Sequence, residues 1–315
     1  MKEDPLMNKF IDVVNGPSQV SRIILGCMRM PALSTDEAAK MIETAVDNSI
    51  NFFDHATCYG DGQAESIFGE AFQKTGLRRE DVFIQSKCGL HFDRKEFDWS
   101  KDDILESVDQ ILTRLKMDHL DALLLHRPDL LFDPEEIAEA FNQLKRSGKV
   151  LHFGVSNVNP GQYDLLKKYV EQPLVFNQLQ FSIEQSQLID QPLYLNNKTT
   201  DMSICRDGDI LNYCRLKDIT IQAWSPLQVG MFQGTFVDNP DFPELNKVLG
   251  ELGEKYGVSK AAIAIAWILR HPAKMQVIAG TMNPDHLTDL CGAYNVDLTH
   301  NEWYQLYLAS GKFLP

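Results

Sequence analysis

The feature that most constrains the fold of this chain is a repeated alternation between short apolar runs and amphipathic helical patterns. Most of the apolar runs are continuous, as is typical of parallel strands covered on both faces. Eight strands are predicted, at residues 22–26, 51–54, 82–86, 120–125, 151–155, 174–178, 219–224 and 275–280. Eight strand–helix units predict an α/β fold, the (β/α)8 TIM barrel.

The helical patterns between these strands begin with residues that favour helix starts, such as Ser, Thr and Pro. Helices are predicted at residues 35–48, 101–116, 134–147, 160–170, 206–217, 259–270 and 284–293, and another follows the second strand. No linker, repeat or low-complexity tract divides the chain, so residues 1–315 are predicted to form a single domain.

Two segments outside the regular alternation are also informative. Short runs on either side of Asn15-Gly16 predict an N-terminal β-hairpin with a type I′ turn, closing the barrel bottom. Two long connections, at about residues 185–204 and 228–243, are predicted to act as lid or binding loops.

Composition excludes several classes of partner. The formal net charge is −14 and no Lys/Arg-rich run is present, so neither nucleic acid nor an anionic membrane is expected to bind. There is no apolar run long enough for a membrane span, and the start "MKEDPLMNKF" lacks the features of a secretory signal. Six scattered cysteines without a CxxC pair predict reduced thiols and a cytoplasmic location.

Polar residues close one predicted strand after another. Asp54, Lys87 and His126 end the second, third and fourth strands, and Tyr59 follows Asp54 on a short loop. Because active sites of such barrels lie at the carboxyl ends of the strands, these four side chains are predicted to converge.

The four residues together suggest carbonyl chemistry. Tyrosine has a reference pKa of roughly 10, and the Lys87 ammonium, held by Asp54, is expected to lower the pKa of Tyr59. Tyr59 would then exchange a proton with a carbonyl oxygen while a neutral His126 orients it. Reduction of an aldehyde or ketone also needs a cofactor, because no side chain supplies hydride.

At this point the chain resembles the aldo-keto reductases, in particular bacterial oxidoreductases with SKCG and HRPD motifs. Asp54, Tyr59, Lys87 and His126 match the Asp-Tyr-Lys-His tetrad of that family in order and at similar spacing. The matching segments are "LGCMR" (25–29), "FDHATCYG" (53–60), "SKCG" (86–89), "HRPD" (126–129), "GVSN" (154–157), "NQLQ" (177–180), "AWSPL" (223–227) and "AGTMNPDHL" (279–287).

The resemblance implies a nicotinamide cofactor across the barrel mouth. Ser156, Asn157 and Gln178 would hold its carboxamide, and Trp224 would stack on the nicotinamide ring. Residues next to the phosphates would be Ser225, Pro226 and Leu227 at the pyrophosphate, and Gly280, Thr281, Met282, Asn283 and His286 at the adenosine phosphate.

The same resemblance favours NADP(H), with NAD(H) possible. Many members carry a cation just after strand eight and an arginine a few residues later, where this chain has Gly280 and His286. Thr281, Asn283 and the start of the helix near Pro284 could still donate hydrogen bonds to a phosphate, and His286 could pair with it when protonated.

Other interpretations stay open beside this one. A catalytically weak NADP-binding barrel could act as a redox sensor or regulatory subunit. A metal-dependent hydrolase could use Asp54, His55 and His126, but no His-x-His spacing is present, so no metal is expected. Cys58 and Cys88 are interpreted as buried fillers. The sequence does not identify the small-molecule carbonyl substrate or the oligomeric state. The substrate pocket would include Met28, Cys58, His91 and Arg127.

Overall fold

The computed structural model describes residues 9–195, 197–230 and 233–315, and within these ranges eight parallel strands close into a barrel. Two short strands precede it, β1 (Phe10–Ile11) and β2 (Val20–Ser21). In chain order the others are β3 (Ile23–Gly26), β4 (Phe52–Asp54), β5 (Phe83–Cys88), an outlying hairpin of β6 (Leu90–His91) and β7 (Glu96–Phe97), β8 (Leu120–Leu125), β9 (Val150–Ser156), β10 (Leu174–Gln180), β11 (Thr220–Trp224) and β12 (Gln276–Ala279).

Helices surround this barrel and confirm the predicted fold class. They are α1 (Thr35–Asp47), α2 (Gln63–Phe72), α3 (Lys101–Leu115), α4 (Pro134–Ser147), α5 (Pro160–Lys167), α6 (Gln187–Leu193), α7 (Ile210–Leu216), α8 (Pro243–Tyr256), α9 (Lys260–Leu269), α10 (Pro284–Leu290) and α11 (His300–Ala309). Local sequence explains their ends: Ser34 and Glu37 form a capping box at α1, and Gly148 ends α4 in the left-handed conformation. In the described ranges no helix is long and apolar enough to cross a membrane.

Three of these helices, α6, α8 and α11, are not predicted from the sequence. α6 lies inside the connection 185–204, and α8 begins where the connection 228–243 ends. Predictions for residues 1–8, for Asn196 and for residues 231–232 fall outside the described residues.

The N-terminal hairpin covers the bottom of the barrel. Val13 and Val20 pack in one cluster with the inward-facing residues Ile24, Phe52, Phe83, Ala122, Leu124, Val175, Phe176 and Ile278, so the predicted closure is confirmed. The predicted type I′ turn is wrong, because Asn15 has φ 56° but Gly16 does not have a positive φ. Pro17 explains this, since a residue before proline is driven towards extended conformations.

Candidate active site

A buried ion pair lies at the centre of the barrel above the apolar layer. The Lys87 Nζ atom is 2.7 Å from both Asp54 carboxylate oxygens, and the two side chains are 0 % and 1 % exposed. Strands β4 and β5 are direct neighbours, and alternation along each strand turns both residues inward. The sequence prediction that these residues converge agrees with this geometry.

Tyr59 lies beside this pair on the loop between β4 and α2. Its ring centroid is 5.0 Å from Lys87 Nζ. The next three residues, Gly60, Asp61 and Gly62, have positive φ angles of 58°, 52° and 84°, which turn the chain sharply into the helix. A Cβ atom on Gly60 would approach Pro31 Cγ to 2.9 Å. The glycines of this "GDG" segment therefore serve the turn that holds Tyr59.

The pKa of the Tyr59 phenol is raised well above its ordinary value. Burial is the main cause, and the negative charge of Asp54 adds to it, while Arg127 acts in the opposite direction. The net shift is therefore opposite in direction to the lowering predicted from the sequence, with burial as its largest cause. Tyr59 consequently keeps its proton at neutral pH.

His126 follows β8 and faces Tyr59 edge-on, with ring centroids 6.0 Å apart and an interplanar angle of 85°. Burial lowers the pKa of its imidazole well below the usual value, and the Lys87 and Arg127 charges lower it further. The imidazole is therefore neutral at neutral pH, as the proposed chemistry requires.

Cys58 contacts this imidazole, which sequence reasoning missed. Its Sγ atom is 3.5 Å from His126 Nδ1. Burial raises the pKa of the thiol to about 11, so the sulfur keeps its proton. If the thiol donates to Nδ1, the neutral imidazole carries its own proton on Nε2.

The residues predicted to hold a nicotinamide carboxamide form one hydrogen-bonded set. Ser156 Oγ donates to the Gln178 backbone carbonyl at 3.1 Å, and Asn157 Nδ2 donates to Ser156 Oγ at 2.8 Å. Trp224 Nε1 lies 3.3 Å from Asn157 Oδ1. Gln178 Nε2 donates to Asp54 Oδ1 at 3.1 Å. The predicted cofactor side chains are thus linked to the ion pair.

This set has the hydrogen-bonding capacity that a carboxamide group needs. Because Gln178 directs its amide nitrogen at the Asp54 carboxylate, its Oε1 is the atom left to accept from an incoming amide. Asn157 Nδ2 has a second N–H after its bond to Ser156. Gln180, in register with Trp224, has a buried Nε2 without a hydrogen-bond partner among the described residues. Donors and an acceptor therefore remain at the mouth.

The segments predicted for the cofactor phosphates lie after β11 and β12. Ser225 has φ 53°, Pro226 is buried, Leu227, Gly280, Thr281 and Met282 are half-buried, and Asn283 and His286 are exposed. Asn283 Oδ1 accepts from the Asp285 and His286 amides at 2.9 and 3.3 Å. Those two helix-start amides are therefore satisfied within the protein, which speaks against the predicted phosphate site at this helix start.

A cation nevertheless lies at this end of the mouth. Arg29, in the 3-10 helix Cys27–Ala32 after β3, donates from Nη1 to the Gly280 carbonyl at 2.8 Å. The two residues are 251 positions apart and meet because β12 pairs with β3 to close the barrel. Residues so far apart in the chain carry no local signal of this contact, so the sequence alone does not predict it.

Of the residues predicted for the substrate pocket, Arg127 lies beside Trp224, one of the predicted cofactor residues. Its Cζ atom is 5.5 Å from the Trp224 ring centroid. Met28 is exposed, and His91 is held 3.0 Å from Asp103. Within the described part of the chain, no group of three His, Cys, Asp or Glu side chains is arranged to hold a metal ion.

Comparison with known proteins gives consistent matches. The model of the aldo/keto reductase family matches residues 22–307. An uncharacterised oxidoreductase of Bacillus subtilis, YcsN, is 35 % identical over 306 residues, 92 % of this chain and 94 % of that protein. A 6-dehydroglucose reductase of Agrobacterium fabrum is 33 % identical, covering 93 % and 96 %. A Klebsiella pneumoniae aldo-keto reductase crystallised with NADPH has TM-score 0.75 and 23 % identity, covering 95 % and 93 %.

Proposed function

The chain belongs to the aldo/keto reductase family, and we propose that it reduces an aldehyde or ketone to an alcohol, with Tyr59 as general acid and NADP(H) as the favoured cofactor. When bound, the reduced nicotinamide supplies the hydride that no side chain can give. The observation that carries this proposal is the joint position of Tyr59, His126 and the buried Lys87–Asp54 pair at one end of the barrel.

Tyr59 donates the proton in this proposal. Its raised pKa keeps the phenol protonated, so it can give a proton to the carbonyl oxygen as that oxygen gains negative charge. The ammonium of Lys87, 5.0 Å from the ring, then stabilises the phenolate that remains. Asp54 fixes the ammonium by contacting it with both oxygens.

His126 orients the carbonyl group. In this proposal the neutral ring accepts at Nδ1 from the Cys58 thiol, 3.5 Å away, and presents Nε2–H as a donor beside the phenol. Two donors at one oxygen stabilise the charge that develops there, and a preorganised donor of this kind is worth several kcal/mol in other enzymes.

The preference for NADP(H) is supported by Arg29. Its guanidinium is exposed beside Gly280, the segment proposed to face the adenosine phosphate, and a cation there would attract the extra phosphate of NADP(H). The Klebsiella structure in complex with NADPH supports the same choice. Ser156, Asn157, Gln178 and Trp224 are proposed to hold the nicotinamide end, as their free donors and acceptor suggest.

The test is turnover of purified protein with NADPH and a panel of carbonyl compounds. The panel should include para-nitrobenzaldehyde and, given the sugar-derived substrate named for the Agrobacterium relative, carbonyl derivatives of sugars. Tyr59→Phe is expected to lower kcat at least ~100-fold while NADPH still quenches tryptophan fluorescence. Tyr163→Phe is the control, because its phenol donates only to the Leu174 backbone carbonyl.

Retention of most activity in Tyr59→Phe would refute the assignment of the acid. Absence of turnover across the whole panel, with NADPH still bound, would favour the alternative of a redox sensor or regulatory subunit. A similarity of 28 % to a probable potassium channel β-subunit of Arabidopsis thaliana makes that alternative worth the measurement.

A further inference from the structure

Four buried glutamine side chains lie inside the barrel next to the Lys87–Asp54 pair, and one of them, Gln85, is in register with Asp54. They are Gln85 on β5, Gln178 on β10, Gln222 on β11 and Gln276 on β12, here called the amide chain. Their exposed fractions are 0, 3, 0 and 0 %. The layer below them is apolar, and leucine would fill this space without polar atoms. Burying amides is costly unless each is hydrogen-bonded, so their partners matter.

The amide chain begins at Asp54. Gln85 Nε2 donates to Asp54 Oδ1 at 2.6 Å and lies 2.9 Å from Gln222 Oε1. Gln222 Nε2 returns to Gln85 Oε1 at 3.2 Å. Gln178 Nε2 donates to the same Asp54 oxygen at 3.1 Å and lies 3.2 Å from Gln222 Oε1. Gln222 is thus a second acceptor, after Asp54, that Gln85 and Gln178 share.

The other end of the amide chain is fixed to backbone. Gln222 Nε2 lies 3.1 Å from Gln276 Oε1, and Gln276 Nε2 donates to the Ser21 carbonyl at 2.8 Å. A carboxylate only accepts hydrogen bonds, so Asp54 requires the amide nitrogens of Gln85 and Gln178 to face it. The amide orientations of Gln85 and Gln178 in turn fix the amide orientation of Gln222.

The contacts to Asp54 are uneven, which suggests what the amides do. Oδ1 accepts from Gln85, Gln178 and Lys87, whereas Oδ2 accepts from Lys87. The two amides therefore hold one oxygen of the carboxylate from two separate strands, β5 and β10. Without them, the carboxylate could rotate about its own axis and carry the ammonium with it.

We propose that Gln85 and Gln222 are positioning residues: through hydrogen bonds they hold Asp54 in the orientation that fixes Lys87 beneath Tyr59, and hold Gln178 with its oxygen towards the nicotinamide carboxamide. This inference rests on the proposed function. It adds a connection between proton transfer and cofactor binding, because Asp54 and Gln178 share one hydrogen-bonded set.

The decisive variant is Gln85→Glu, which keeps the shape of the side chain. When protonated, the introduced carboxyl can donate to Asp54 as the amide does. When ionised, it repels Asp54 and no longer donates. Two carboxyl groups that share a site have one strongly raised pKa, so the change is expected between about pH 6 and pH 9.

The pKa values of most native groups around Asp54 are displaced away from this pH range, and that of Glu65, which is raised by burial, affects the native protein and the variant alike. The pKa of the Cys27 thiol is raised well above its ordinary value by burial and by Asp54. Burial lowers the pKa of His55 to about 3. The pKa values of Tyr59 and His126 are displaced upward and downward, respectively.

Two quantities should be measured against pH in Gln85→Glu: kcat with para-nitrobenzaldehyde, and the Kd of NADPH by tryptophan fluorescence. We expect both to be near the native values at the acidic end. As the pH rises, kcat should fall and Kd rise about tenfold, as for loss of a charge-assisted hydrogen bond. Gln85→Met should show the same loss at every pH.

Gln276→Glu and Gln276→Met are the matched controls. Gln276 is equally buried and belongs to the amide chain, but it touches Gln222 and Ser21 rather than Asp54. We expect reduced stability towards urea without the pH-dependent loss of kcat and binding. A purely structural role for Gln85 would make both pairs of variants behave alike.

Failure of this inference is distinguishable from failure of the proposed function. If the native protein has no turnover, the NADPH Kd of Gln85→Glu still decides, because Gln178 would be released as Asp54 is repelled. A Kd of NADPH that stays unchanged with pH in this variant would overturn the inference. If the native enzyme is active, a kcat of Gln85→Glu that does not change with pH would also overturn the inference.

Discussion

Replacing Lys87 with methionine should separate the stabilising role of the buried ion pair from its chemical role. Lys87→Met keeps the length of the side chain but leaves the Asp54 carboxylate without its cation. Both partners are almost fully buried, so water cannot replace the ammonium. Breaking a buried pair by removing one partner typically costs about 3–5 kcal/mol.

Because of the amide chain, we expect the cost of Lys87→Met to lie at the lower end of that range. After the substitution, Gln85 and Gln178 still donate to Asp54 Oδ1, which leaves the carboxylate partly compensated. We therefore expect a loss of about 3 kcal/mol in the free energy of unfolding, out of the 5–15 kcal/mol that is usual for a whole protein. Such a loss is easily measured by urea denaturation.

Adding Asp54→Asn to Lys87→Met removes the unpaired charge as well. The double variant should regain most of the lost stability, because an amide can hydrogen-bond to Gln85 and Gln178 without a charge. Its kcat with NADPH and para-nitrobenzaldehyde should stay at least ~100-fold below the native value, since no cation remains beneath Tyr59 to stabilise the phenolate.

Two results would refute this reasoning. If the double variant is no more stable than Lys87→Met, the cost does not come from an uncompensated carboxylate. If the double variant recovers turnover together with stability, the pair has only a structural role and the electrostatic account of Tyr59 fails.

Three further outcomes follow from the site. Iodoacetamide at neutral pH should alkylate the exposed Cys205 without loss of activity, because the pKa of Cys58 is raised to about 11 and its thiol stays protonated. A rapid loss of activity that Cys58→Val prevents would contradict this. Arg29→Met should weaken NADPH binding about tenfold and NADH binding less, with Lys274→Met unaffected; equal losses for both nucleotides would exclude a role in discrimination. The kcat of reduction should stay constant when the pH is lowered through about 6.5, because His126 stays neutral, and when it is raised through about 10, because Tyr59 stays protonated. An inflection near 6.5 would show an unperturbed pKa for His126, and one near 10 an unperturbed pKa for Tyr59.

Positions that depend on strand alternation were predictable from sequence. Asp54, Lys87 and His126 each end an apolar run, and in a parallel barrel all such ends lie on one face. Pairing of β4 with β5 then brings the first two together. The sequence contains this information because the side-chain period of a strand is fixed by its geometry.

Contacts between distant loops were not predictable in the same way. Nothing in the pattern around Arg29 indicates that it reaches Gly280, because the contact depends on how the barrel closes. The sequence alone predicts Cys58 to be a buried filler, because only the packed structure shows its sulfur against His126. The four glutamines lie on separate strands and carry no local signature, although each falls at an inward-facing position.

The direction of the Tyr59 pKa also required the structure, and it bears on the direction of the reaction. The four residue types alone predict a lowered pKa; in the structure the pKa is raised, mainly by burial and next by the Asp54 charge. A phenol with a raised pKa is ready to donate a proton to a carbonyl but seldom ionised to accept one from an alcohol. Alcohol oxidation, measured as NADPH formation, should therefore rise about tenfold per pH unit with the phenolate fraction, while reduction stays flat. Tyr59→Phe should abolish that rise. An oxidation rate that levels off near neutral pH would mean that the phenol ionises there, and the raised pKa would then be wrong.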